Sequence, residues 1–388
     1  MDINRQAGRR RLWIIWPVVA AATMIGSVVW VSAQIGIAWV GAGLALSVIV
    51  VTPVILAFLW LNRWHRGRPR LLVSAFVWGA SVAAFCSIWT QAWLHDLVNV
   101  IWGADVGAWV RPLMITPVTE EVLKGLFLLW LLIYRRREVT GVLDAIVFAG
   151  LIGIGFSFIE NSLYFGRPLM EVVQSGGADT AAVATLGVTL FMRVAMVPFF
   201  HSLMVAITAI GIGIAAHRRG RAAKVLPVLL GLLAAIVLHG IWDWAGLASS
   251  DQFLIFKVYG AVMVPVFLAV FIVALVLRHR QGRMITEGAE MLVRDGDIAS
   301  EEAMPLANLR ARRRWRADIR RHAGRAAARA VARYQSEASA LAIRLTRGTP
   351  ADQDWLPEQR RIVTEARAGI HHRRAFGRLT PTPFRTQQ

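Results

Sequence analysis

Cysteine is all but missing from these 388 residues, with Cys86 the sole one. A disulfide framework and any multi-cysteine metal site are thereby excluded. Charge is scarce as well, at 17% of residues, where soluble domains carry about 25%. Lysine is nearly absent: only Lys124, Lys224 and Lys257 interrupt a set of 43 basic residues that is otherwise arginine. Acidic residues number 24, which leaves a formal net charge of +19. What fills the chain instead is apolar, with 56% hydrophobic residues and a mean hydropathy of +0.52. That composition argues against a soluble enzyme and, for most of the chain, against intrinsic disorder, which needs low hydrophobicity. A chain this apolar reaches so high a charge only by segregating it.

A membrane-spanning helix needs roughly 20 mostly apolar residues. About eight such runs are present, at 12–33, 38–61, 71–94, 110–134, 141–163, 191–216, 225–246 and 254–277. The first follows Arg9-Arg10-Arg11. Its apolar stretch exceeds the ~7–15 residues of a signal peptide, so it reads as an anchor. Arginines gather at Arg5/Arg9/Arg10/Arg11, Arg63/Arg66/Arg68/Arg70, Arg135/Arg136/Arg137 and Arg218/Arg219/Arg221/Lys224, in alternate loops. The loops between carry Asp96, Asp105, Glu171, Asp179 and Asp251. Because basic residues accumulate on the cytoplasmic side, both termini are predicted to be cytoplasmic. The expected fold is an all-α polytopic membrane helix bundle of about eight spans with an arginine-rich helical tail. Its expected divisions are N-terminal spans over 1–109, a transmembrane catalytic core over 110–278 and a basic cytoplasmic tail over 279–388.

That tail, over 280–388, sets 22 arginines against 12 acidic residues. Ser300-Glu301-Glu302 has the form of a helix start, with acidic residues in the first turn. From Leu306 to Leu345 the sequence reads as arginine-rich helix with an apolar stripe near Leu309, Trp315, Ile319, Ala326, Val331 and Tyr334. Such a segment beside a membrane fits anionic lipid headgroups. Nucleic acid would suit the charge, but no nucleic-acid-binding module accompanies it. Pro350, Pro357, Pro381 and Pro383 mark a loosely structured end.

Charges inside spans cost about 2.5–3.5 kcal/mol each on insertion scales and so point to function. Span four contains Glu120, Glu121 and Lys124, spaced so that Lys124 shares a helix face with both glutamates. A buried ion pair accounts for the lysine and one glutamate but leaves the second glutamate uncompensated. Span five carries Glu160 and Asn161 near its outer end, and Gly150, Gly153 and Gly155 would admit a second helix closely. Alone, Glu160 could equally be an interfacial residue with its head in water. Span six holds Arg193 and His201, with Pro198 between them to loosen the helix. Span seven holds His239 and Asp243, four residues apart on one face. A lone intramembrane histidine is more often a satisfied hydrogen-bond partner than a ligand. Here, however, the polar groups of four successive spans share a depth between mid-bilayer and the outer surface, which implies one polar cavity.

Paired carboxylates in apolar surroundings can take a proton from water at neutral pH. Neutral histidines with a carboxylate can hold a divalent metal or donate to the oxyanion formed when water attacks an amide. The set suits peptide hydrolysis. A serine nucleophile fits poorly, since G-x-S-x-G is absent and Ser202 points elsewhere on its helix. H-E-x-x-H is absent too.

In Glu120-Glu121-x-x-Lys124, Asp144 followed by Phe156-x-x-x-Glu160-Asn161, Arg193 with His201, and His239-x-x-x-Asp243, the chain resembles the PrsW family of bacterial intramembrane proteases. That family stands within the wider group of CAAX prenyl proteases and their relatives. The resemblance implies paired glutamates that activate water. It also implies that His201 and His239, with Glu160 or Asp243, bind a metal or stabilise the oxyanion. His201, His239 and Glu160 are the implied ligands of a divalent metal such as zinc, and Lys124, Asn161 and Arg193 are the supporting residues. Glu160 stands where the prenyl-protease branch has histidine, which favours the PrsW branch. The implied substrate is a single-span membrane protein such as an anti-sigma factor, cut in a bacterial cell membrane during a stress response. Two other readings use the same polar residues: a proton- or ion-coupled transporter, and a non-catalytic membrane scaffold. Against the transporter, no inverted repeat or matching pair of broken helices is evident.

Overall fold

Apolar runs that meet lipid on most sides must satisfy their backbone groups internally, which a helix does. The structure, a computed structural model, describes residues 3–64, 69–247, 251 and 253–374. Arg66, Arg68, Pro381 and Pro383 lie outside the described residues. The described chain forms an all-α, polytopic bundle, with no strand among the described residues.

The helices are α1 (Ile3–Ile35), α2 (Ile37–Leu61), α3 (Pro69–Trp78), α4 (Ala84–Trp102), α5 (Ala104–Val110), α6 (Thr116–Tyr134), α7 (Val142–Gln174) and α8 (Thr180–Leu190). They continue as α9 (Phe200–Ala215), α10 (Arg221–Leu247), α11 (Leu254–Val258), α12 (Val264–Arg294), α13 (Ser300–Ala307), α14 (Leu309–Arg347), α15 (Pro350–Gln353) and α16 (Leu356–Arg374). Among the described residues, seven stretches are long and apolar enough to cross a membrane: Ile15–Ile35, Ile37–Leu61, Pro69–Trp102, Val142–Gln174, Thr180–Ala215, Arg221–Leu247 and Leu254–Arg294. Run 110–134 is not among them, because Glu120, Glu121 and Lys124 on α6 lower its apolar content.

The chain divides into two compact units. The first joins Met1–Asn62 to Arg68–Leu275. At its centre lies α7, almost wholly buried from Leu143 to Ile159 and flanked by α2, α3 and α9. Its glycines explain the close packing. A Cβ added at Gly153 would fall 2.4 Å from the Ser202 backbone nitrogen, and one at Gly155 2.1 Å from the Phe76 carbonyl oxygen. The ring of Phe58 fills the space beside Gly150. With hydrophobic burial offering little between helices in lipid, close packing and interhelical hydrogen bonds carry the association. Among such bonds, Ser202 Oγ donates to the Gly150 carbonyl at 2.9 Å, and Ser47 Oγ to the Phe158 carbonyl at 3.1 Å.

Among the described residues, four π-helical segments interrupt the ladders of this unit: Gly79–Ala83, Arg111–Ile115, Phe191–Met196 and Tyr259–Met263. Such segments recur at functional sites. Arg111–Ile115 feeds directly into the helix that bears Glu120, and Phe191–Met196 bears Arg193. After Met196 the helix breaks at Val197 (φ −124°, ψ 37°) and restarts at Phe200. Pro198 has no N–H to continue the ladder, so the chain turns just before His201, as the sequence implies.

The second unit joins Arg63–Gly67 to Val276–Gln388. The expected helix start appears at α13, where Glu302 Oε2 accepts from the Ala299 N–H at 2.9 Å. Leu292, Ile298, Leu306, Ile319, Val331, Tyr334, Leu341, Val363 and Ile370 form its core. The expected apolar stripe needs one correction. Ala326 is exposed and Ala327 is buried in its place, because α14 bends at Gly324 (φ 81°, ψ 177°) and re-aims the residues beyond it. Arg312 is buried beneath this core and donates to Ser339 Oγ at 2.7 Å and to the Gln335 carbonyl at 3.1 Å.

Candidate active site

Span four alone supplies three charges, and α6 turns all of them inward: Glu120, Glu121 and Lys124 are buried. The Lys124 ammonium donates to Glu120 Oε2 at 2.8 Å and to Glu121 Oε1 at 3.0 Å. The lysine therefore bridges both carboxylates, so neither glutamate is left without a counter-charge. Its third proton goes to His201 Nδ1 at 2.8 Å on α9. An ammonium has three donors and no acceptor, so Nδ1 accepts and the ring proton rests on Nε2. Nε2 in turn donates to Glu160 Oε2 at 2.7 Å on α7.

Two further links close the network. Arg193 Nη1 donates to the same Glu160 oxygen at 2.7 Å and more weakly to Asn161 Oδ1 at 3.5 Å. His239 Nδ1 on α10 donates to Glu121 Oε1 at 2.9 Å, and its Nε2 lies 3.6 Å from Asp243 Oδ2. The two imidazole rings stand 5.8 Å apart between centroids. Glu120, Glu121, Lys124, Glu160, Asn161, Arg193, His201, His239 and Asp243 thus belong to one contiguous network drawn from α6, α7, the Phe191–Met196 segment, α9 and α10. Asp144 does not join it. It accepts from the Thr140 N–H at 2.9 Å and from the Thr140 hydroxyl, beyond the start of α7.

The network is closed at one end and open at the other. Lys124 and Glu121 side chains have no exposure, whereas those of Glu160, Asp243 and Arg193 keep 22%, 21% and 17%. Aromatic faces cover the cations: the Phe156 ring centroid lies 4.0 Å from Lys124 Nζ and that of Tyr164 3.6 Å from the Arg193 guanidinium carbon. Such contacts strengthen when desolvated.

Sequence reasoning missed Gln91. Its side-chain amide on α4 donates to Glu120 Oε1 at 3.2 Å and to Ser87 Oγ at 2.7 Å, while its carbonyl accepts from Thr116 Oγ1 at 3.2 Å. The available signal was an amide inside an apolar span, masked by its distance in sequence from the other polar residues. Glu120 consequently has both oxygens engaged. Glu121 does not: its Oε2 is buried without a hydrogen-bond partner.

Glu120, Glu121 and His239 each offer a ligand atom within 4.8 Å of the others. This group shares His239 with the set His201, His239 and Glu160 implied by resemblance. His201 has both ring nitrogens committed, to Lys124 and Glu160. The residues fit a divalent metal on two counts. Two carboxylates and an imidazole are ligand types of three-ligand catalytic sites that keep an open position. The second count is Glu121 Oε2, an acceptor held in a buried site with nothing to accept from.

A multi-helix membrane bundle that buries carboxylates, histidines and a metal-capable donor set in its interior is the architecture of an intramembrane peptidase. The chain belongs to the PrsW family: the family described as "PrsW family intramembrane metalloprotease" matches residues 67–274, more than half of the sequence. The match spans the whole network from Gln91 to Asp243. No curated protein and no solved structure matches the chain. The protein is accordingly a multi-pass membrane protease that acts on a membrane protein.

Proposed function

We propose that this protease hydrolyses a peptide bond of a single-span membrane protein, such as an anti-sigma factor, with Glu121 as the base that activates water and Glu120 as its held partner. The observation that carries this reading is the asymmetry between the two carboxylates. Glu120 is pinned through both oxygens by Gln91 and Lys124, whereas Glu121 is pinned through Oε1 alone and keeps Oε2 open. A water beside Oε2 gives up its proton there, and its oxygen attacks the scissile carbonyl carbon. The carbon–nitrogen bond then breaks, and the proton on Glu121 passes to the departing amine.

His239, oriented by its Nδ1–H bond to Glu121, keeps Nε2 toward Asp243. His201, clamped between Lys124 and Glu160, fixes α9 against α6 and α7 and sets the distance between the base and the open end. Arg193 and Asp243 line that end. The guanidinium of Arg193, held by Glu160, Asn161 and Tyr164, is placed at that end to meet substrate carbonyls. Glu120, Glu121 and His239 would hold a divalent ion such as zinc, which supplies Lewis-acid activation of water and carbonyl.

In this reading residues 110–278 form the catalytic core, α6 is an eighth crossing, and both termini face the cytoplasm of a bacterial cell in which cleavage starts a stress response. The basic unit after residue 278 meets anionic lipid headgroups. Arg310, Arg313, Arg314, Arg320, Arg325, Arg329 and Arg333 are exposed on α14 and suit that surface. Co-expression with a tagged single-span substrate tests the function. Glu120→Gln and Glu121→Gln should each abolish cleavage while protein level and membrane insertion stay intact. Unchanged cleavage in both variants rejects the hydrolytic reading, and loss of ion flux in their place would support a carrier.

A further inference from the structure

The buried ammonium of Lys124 sits where a metal's charge would be most useful. Its three protons point at Glu120 Oε2, Glu121 Oε1 and His201 Nδ1, all within 3.0 Å. Two of those partners, Glu120 and Glu121, belong to the group able to hold a divalent ion. The four carboxylates of the network, Glu120, Glu121, Glu160 and Asp243, outnumber its lysine and arginine, Lys124 and Arg193, by two. Arg193 lies at the open end on Glu160, so Lys124 is the cation that faces the candidate ligands. A like charge a few ångströms from a bound ion weakens it by an amount that is large in a poorly screened interior.

We propose that Lys124 is the resident cation of this site and sets its affinity for metal, occupying the carboxylates so that a divalent ion is held loosely and exchangeably. The inference rests on the reading of Glu120, Glu121 and His239 as metal ligands. It adds that the strength of binding is governed by a lysine that is not itself a ligand. Without an ion, the ammonium keeps two adjacent buried carboxylates apart from mutual repulsion and preserves the fold. With an ion present, Lys124 keeps its bond to His201 Nδ1, which is not among the ligands, so binding does not require the lysine to leave.

The test needs no substrate. Full-length wild type, Lys124→Met and Lys124→Arg are purified in detergent, stripped with chelator and titrated with Zn²⁺ or Mn²⁺ by calorimetry. Thermal unfolding is followed with and without the ion. Methionine matches the lysine stem without its charge, and arginine keeps the charge. Lys124→Met should bind at least about tenfold more tightly than wild type, and Lys124→Arg should stay within about threefold of it. Stripped Lys124→Met should also melt below wild type and recover on adding the ion, because two buried carboxylates have lost their counter-charge. If Lys124→Met fails to fold when stripped, rescue of its folding by the ion is the supporting result and absence of rescue the opposing one. Equal affinity in wild type and Lys124→Met overturns the role of the lysine while leaving the metal site standing. No binding in either overturns both.

Discussion

Replacing Gly153 by alanine is the most revealing single change, because it moves the site without touching a polar atom. The added Cβ would stand 2.4 Å from the Ser202 backbone nitrogen and 2.5 Å from the His201 carbonyl carbon. Ordinary contact for such pairs is about 3.4–4 Å, so α9 must retreat from α7 by about 1 Å. His201 rides on α9 at that level. Its bonds to Glu160 and Lys124, now 2.7 and 2.8 Å, would stretch past the useful limit of about 3.5 Å. A misplacement of that size costs about a hundredfold in rate. The packing penalty is about 1–3 kcal/mol, partly offset by the ~0.5–1 kcal/mol gained when alanine replaces a helical glycine. Cleavage of a single-span reporter in proteoliposomes, read beside thermal unfolding in detergent, separates the two effects. Gly125→Ala on α6 is the control, because its nearest foreign atom is Thr208 Cγ2 at 3.8 Å, and it should stay within about twofold of wild type. Cleavage by Gly153→Ala at the wild-type rate would refute the dependence of catalysis on this helix contact.

Gln91→Leu should lower kcat about tenfold with KM little changed, because Glu120 Oε1 then loses the Gln91 amide that holds it. Steady-state kinetics check it, and an equal rise in KM would point to a substrate contact instead. Arg312→Ala should destabilise the second unit by about 3 kcal/mol, since it strips bonds from Ser339 Oγ and the Gln335 carbonyl in a buried setting. Limited proteolysis of α14 and α16 reads that loss, and unchanged protease resistance would contradict it.

Much of this was legible in the sequence because the membrane makes polarity expensive. Helical class followed from run length and hydropathy, and the site residues stood out as charges in the wrong solvent. Their pairing was less legible. Nothing in the spacing of Lys124 decides whether it serves one glutamate, both, or a histidine some 80 residues on, because that depends on how closely α9 packs against α7 at Gly153. Gln91 stayed hidden for a related reason: an uncharged amide in a span is a weaker signal than a charge, and its partner on α6 lies far along the sequence. Asp144 shows that a motif position need not belong to the network. It is as charged as the others and sits in the motif series, yet it serves the Thr140 turn. In the tail, periodicity located the stripe but could not foresee the bend at Gly324 that exchanges Ala326 for Ala327.

That side chains on separate helices act as one catalytic unit is best tested by a double-mutant cycle between Glu121→Gln on α6 and His201→Ala on α9, with cleavage rates measured on purified, folded protein. Groups that work as one unit are far from additive. The expected result is a double variant no slower than the worse single one, each single loss being at least about a hundredfold. Losses that multiply in the double variant would show two independent contributions and contradict a shared site.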